Sequence, residues 1–189
     1  MKEAETGQTG GPVGDRYRPA TLSENEREKL VKQYAEQAKE EEGATVHLLA
    51  HALEAVVSDL GDESLATLID VAWIPASHLD EVDPPWGGQS RSREEGSWAG
   101  IAYLGGRRSL VIEVSASYLE SYREQLPFLL AQALQDVVIE EVREARPACP
   151  LHGHPLIPVA TPSGSFWECP EGAAIWSCAI GSYHQALSN

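Results

Sequence analysis

Three kinds of residue are scarce in this chain. It has three cysteines, one methionine and two phenylalanines in 189 residues. Three cysteines cannot pair off into a disulfide framework. The N-terminal Met-Lys-Glu-Ala-Glu-Thr-Gly-Gln has no apolar leader core, so a reducing, cytoplasmic setting is expected. No run of about 18 apolar residues occurs, which excludes a predicted membrane-spanning helix. Basic residues are few: 14 Lys and Arg against 29 Asp and Glu, a net charge of −15. That balance disfavours nucleic acid and anionic membranes as partners, because both are held mainly by Lys and Arg. Catalytic signatures are missing as well. There is no phosphate-cradling glycine motif, no G-x-S-x-G and no complete metalloprotease pattern.

The scarce cysteines are gathered in one place. Cys149 to Cys178 reads CPLHGHPLIPVATPSGSFWECPEGAAIWSC and holds all three, together with His152, His154, Trp167 and Trp176. Cys149 and His152 have C-x2-H spacing, which wraps one side of a metal. Phe166-Trp167-Glu168 suits a short strand leading into Cys169. Thiolate and imidazole are the ligands zinc prefers, four to a structural site. The predicted set is Cys149, His152, Cys169 and Cys178, with His154 as a substitute for His152 or as an outer-shell group. Packing without metal, and one disulfide with a free thiol, are the competing arrangements.

The segment resembles a zinc ribbon or zinc knuckle over about residues 147–183. It departs from that pattern in having no complete C-x2-C pair: histidine stands second in the first pair, and Pro170, Glu171 and Gly172 follow Cys169. The resemblance implies a structural zinc used for protein or nucleic-acid contacts. From Pro147 to Asn189, however, there is no Lys or Arg, and Glu168 and Glu171 are the only charged side chains. A protein partner with a basic surface is therefore expected, and no nucleic acid. A catalytic alternative takes three ligands from Cys149, His152, His154 and Cys169, leaves one position for water, and uses Glu168 or Glu171 as base. Cys178 near enough to fill the fourth position would distinguish the two.

The remaining chain divides by composition into a disordered tail (1–20), a helical α+β body (21–146) and the zinc-ribbon-like module (147–189). Thr21 to Glu24 fits a capping box, and Ser23 with Glu26 offers a second register, for a helix ending near Glu42, with Gly43 as its stop. A second helix, from about Ala44 to Leu60, carries Val46, Leu49, Leu53, Val56 and Leu60 on one face. His47, His51 and Glu54 share a neighbouring face and form a weaker metal candidate. Ser64 to Trp73 reads as a third helix. Residues 75–97 read as a long polar loop, in which His78, Asp80, Glu81 and Asp83 lie close together and Trp86 serves as an anchor.

Trp98–Leu104 and Ser109–Ser115 alternate as strands joined at Gly105-Gly106-Arg107-Arg108, whose arginines are expected to be solvated. Two strands are marginal alone, so they need helices or a further strand, such as one from the tail. Ser117 to Arg146 is helical, with a break near Leu126 ahead of Pro127. Residues 47–57 and 128–138 match at seven of eleven positions, which amphipathic helices also do by chance. The expectation is an α+β fold: about four helices on a small hairpin sheet, plus the loop-rich module. A small-molecule pocket walled by Trp86, Trp98 and Tyr103 is a third functional class.

Overall fold

The computed structural model describes residues 22–61, 69–84 and 92–188. The readings of the 1–20 tail, of Trp86, and of residues 64–68 as helix lie outside them. Among the described residues there are six α-helices and two three-stranded antiparallel sheets, an α+β architecture.

Helix α1 (Glu24–Glu41) starts at the second of the two capping-box registers. The Ser23 backbone N–H donates to the Glu26 carboxylate at 2.8 Å, and the Ser23 hydroxyl accepts from the Glu26 N–H at 3.4 Å. The chain breaks at Glu42 (φ −129°, ψ 39°), and Gly43 opens α2 (Gly43–Leu60) instead of closing α1. A third helix does not cover Ile69–Trp73: this stretch belongs to strand β1 (Ile69–Pro75). A short apolar run buried on both sides has no period that separates strand from helix.

Strand β1 pairs with the centre strand β2 (Trp98–Leu104), which pairs with β3 (Arg107–Val114). The hairpin therefore takes its third strand from upstream and not from the tail. Its turn is Gly105-Gly106, with φ of +58° and +75°, a conformation that side chains on both residues would strain. Arg107 is exposed as expected. Arg108 is half-buried and bonds the Val82 carbonyl at 3.1 Å and Asp83 at 3.2 Å.

This sheet is covered on both faces. Val71, Trp73, Trp98, Ala102, Leu104, Ile112 and Val114 join α2 and the later helix α5 in the larger core. Ala72, Ile74, Ala99, Ile101 and Val111 meet α1 and a short helix on the other side. That helix, α3 (Leu79–Val82), follows a 3-10 turn (Ala76–His78) within the stretch read as a polar loop. Ala76, Leu79 and Val82 recur every three residues and are at most 1% exposed, which explains why the segment folds down. Gly100 lies directly beneath Trp73: a Cβ there would sit 2.7 Å from the indole.

Helix α4 (Ala116–Ser121), a 3-10 turn (Arg123–Gln125) and α5 (Leu126–Val142) follow. The interruption falls at Tyr122, and Pro127 sits in the first turn of α5, where its missing N–H costs nothing. The second sheet has β4 (Ile157–Thr161), β5 (Gly164–Glu168) and β6 (Ser177–Ala179) in that order, and a last helix, α6 (Tyr183–Leu187), ends the described chain. Leu156, Trp167 and Tyr183 are part of the same core as α2 and α5.

One buried carboxylate fixes this second sheet to α2. Asp59 is 3% exposed. It accepts from the Trp167 indole N–H at 2.8 Å, from the Tyr183 backbone N–H at 3.0 Å, and from the Gly181 backbone N–H. Replacing Asp59 with Ala strips three buried donors of their acceptor, each worth about 1–3 kcal/mol when orphaned. We expect a loss of about 3 kcal/mol, or a fall of roughly 10 °C in Tm for a chain of this length. An unchanged thermal melt would refute that role. Gly100→Ala overpacks the Trp73 contact and should cost about 1–3 kcal/mol in chemical denaturation.

Candidate metal centre

The first metal-facing loop leaves α5 and is tied back to it at once. Gln135, 7% exposed, donates from its amide to the Arg146 carbonyl at 2.9 Å and to the Leu156 carbonyl at 2.7 Å. Within the loop, the Leu156 N–H reaches the Pro147 carbonyl (2.9 Å), the Cys149 N–H the His154 carbonyl (2.8 Å), and the Gly153 N–H the Cys149 carbonyl (2.7 Å). Gly153 has φ +74°, which lets the loop turn back between His152 and His154. The Tyr183 hydroxyl holds the base of the loop through the Ala148 carbonyl at 2.6 Å.

The second loop leaves β5. The Cys169 N–H donates to the Trp176 carbonyl (2.9 Å), and the Gly172 N–H donates to the Cys169 carbonyl (2.8 Å). Register with β6 places Trp167 opposite Cys178, so the strand pairing itself closes the loop.

These loops bring Cys149, His152, His154 and Cys169 together, with one ligand atom from each and all four within 4.8 Å of one another. Among the described residues this is the one such group of three or more. His152 Nδ1 lies 3.6 Å from Cys149 Sγ and 3.5 Å from Cys169 Sγ, and His154 Nε2 lies 3.8 Å from Cys169 Sγ. Two sulfurs crowd one nitrogen, and one sulfur lies near two nitrogens. A tetrahedral zinc at about 2.3 Å from sulfur and about 2.05 Å from nitrogen puts S and N about 3.5 Å apart, close to these three sulfur–nitrogen distances.

The electrostatics agree. Burial pushes the Cys169 thiol up, the neighbouring Cys149 pushes it further, and a backbone N–H from Glu171 works against both. Two thiols packed together resist ionising together until a cation joins them. A Cys2His2 cluster of this kind can hold a metal ion.

His154, the substitute in the sequence reading, is thus a full member of the group. Cys178 is not in it. Half-buried on β6, its thiol is raised to about 12, first by burial and then by the negative charge of Asp59. Where the sequence reading put Cys178 beside Cys149, His152 and Cys169, the structure gathers the second histidine.

The other candidates take structural places. His51 and Glu54 are 3.9 Å apart and largely exposed. His78 stacks on Tyr34 with ring centroids 4.0 Å apart, and Glu81 accepts from the Tyr34 hydroxyl at 2.6 Å, which tethers α3 to α1. Asp80 pairs with Arg93 at 2.8 Å. Trp98 and Tyr103 lie on opposite faces of the first sheet and cannot wall one pocket. Asp59 and Gln135 were missed altogether. The signal for Asp59 was a carboxylate on the apolar stripe of α2, three residues after Val56.

No protein-family model, no curated protein and no solved structure matches the chain. No helix of the described residues is long and apolar enough to cross a membrane.

The geometry separates the three cysteines by experiment. Full-length Cys178→Ala should retain about one metal ion per chain by elemental analysis, whereas Cys149→Ser and Cys169→Ser should lose it. Loss in the Cys178 variant alone would return that residue to the ligand set.

Proposed function

We propose that this is a non-enzymatic, cytoplasmic accessory protein whose C-terminal module carries a structural zinc and docks a protein partner with a basic surface. The observation that supports it most is the closure of the site. Four ligands from two loops anchored in the core leave no position for water, and structural zinc sites are closed in this way while catalytic ones are open. Two thiolates balance the charge of a divalent ion, and an S2N2 tetrahedral set suits zinc. The same closure weighs against a zinc hydrolase.

The interaction half of the reading rests on surface chemistry. Leu151 (62% exposed) and Ile175 (39%) lie on the two ligand-bearing loops, within the segment that has no Lys or Arg. Exposed apolar side chains framed by acidic ones fit a partner that presents apolar residues among basic ones.

Protein purified under reducing conditions without chelator should contain about one zinc per chain. A partner cross-linked to the full chain should be lost with a Leu151→Asp/Ile175→Asp variant that keeps its zinc. Absence of zinc would remove the structural half of the reading. A partner retained by the variant would remove the docking half.

A further inference from the structure

An imidazole that ligates through one nitrogen presents a proton on the other, and an acceptor for that proton fixes the tautomer and the ring orientation. The two histidines of this site differ in where that acceptor comes from. His154 faces Cys169 with Nε2, while its Nδ1 lies 3.1 Å from the Pro155 carbonyl. Its outer acceptor is backbone and is already in place. His152 faces both sulfurs with Nδ1, so its outer nitrogen is Nε2. The acidic group near that nitrogen is the Glu171 carboxylate, with Oε2 at 3.8 Å.

We infer that Glu171 is a positioning residue for the metal site: it accepts the Nε2–H of His152 and holds that ring in its ligating orientation. The inference rests on the zinc reading above. Three observations support it. Among the described residues, the ion-pair partners of the carboxylate are His152 and His154. Glu171 comes from the other loop, so one contact links the two halves of the site. Glu171 lies two residues after Cys169, in the turn that the Gly172 N–H to Cys169 carbonyl bond closes. A gap of 3.8 Å exceeds a hydrogen bond by about 1 Å, a distance that one side-chain rotation closes on a surface residue. A metal on Nδ1 polarises the ring and makes its outer N–H the better donor.

The competing role is ligation, because the other oxygen, Oε1, lies 3.9 Å from His154 Nε2. The test measures zinc affinity of the full chain by competition with a chromophoric chelator, for wild type, Glu171→Ala, Glu171→Gln, His152→Ala and the His152→Ala/Glu171→Ala double variant. Cobalt(II) spectra of the same proteins read the coordination number. Glu171→Ala should weaken zinc binding by about 10-fold, the low end for a lost outer-shell partner. Glu171→Gln, which keeps an accepting oxygen, should lose less. In the His152→Ala background the Glu171→Ala effect should vanish, as it must if the two residues act as a unit. Wild type and Glu171→Ala should both give the intense spectrum of four-coordinate cobalt. An equal loss with and without His152, or no loss at all, overturns the inference and leaves the zinc site standing. A weak, five-coordinate wild-type spectrum that intensifies in Glu171→Ala overturns it in favour of ligation. Wild type that binds neither metal overturns both this inference and the zinc reading.

Discussion

A three-stranded sheet with apolar side chains on both faces cannot leave either face in water, and this requirement shapes the body of the protein. Strand β2 is the clearest instance, because six of its seven residues are buried. Helix α1 and the short α3 cover one face, and α2 with α5 cover the other. Hydrophobic burial here is two-sided, which is uncommon for an antiparallel sheet of this size. Gly100 shows how close the fit is, since the Trp73 ring occupies the space a side chain would need.

The metal-facing loops depend on that layered body. Cys149 and Cys169 are members of the larger core, while their histidine partners are only partly covered. Buried sulfurs with outward imidazoles make a site that core packing assembles from one side and solvent reaches from the other. Its geometry has supports in the protein itself: Gln135, Tyr183 and Asp59 hold the two loops and the second sheet by hydrogen bonds to backbone and indole. Small zinc modules that lack such anchors fold only when loaded.

How much of this could be read beforehand follows from the range of the interactions. The capping box at Ser23, the β2–β3 hairpin and the apolar stripes of α2 and α5 are local patterns, and all were legible. So was the gathering of Cys149, His152 and Cys169. The choice between His154 and Cys178 was not, because it depends on strand register: β6 carries Cys178 opposite Trp167 and toward Asp59, whereas Gly153 folds His154 back on Cys169. Strand β1 was misread because its short run packs into both cores and shows no simple alternation: Trp73 and Ile74 are buried, Asp70 is exposed and the rest are half-buried. Helix α3 was misread because its charged residues masked three apolar positions at helical spacing. The place of Asp59 on an apolar stripe hinted at burial, but its partners could not be read because they lie more than a hundred residues away.

That separation bears on the order in which the protein matures. The three groups that satisfy Asp59 follow it by 108 to 124 residues, so they are among the last parts of the described chain to be synthesised. A nascent chain that stops short of Trp167 has α2 and the first sheet but a carboxylate in its core region with none of these three donors. Contacts of such long range are slow to close and are rewarded only at the end. The body therefore gains its full stability late, when Trp167, Gly181 and Tyr183 arrive, and the same event brings Cys169 to Cys149. Completion of the core and assembly of the Cys/His cluster are one step in the life of the chain.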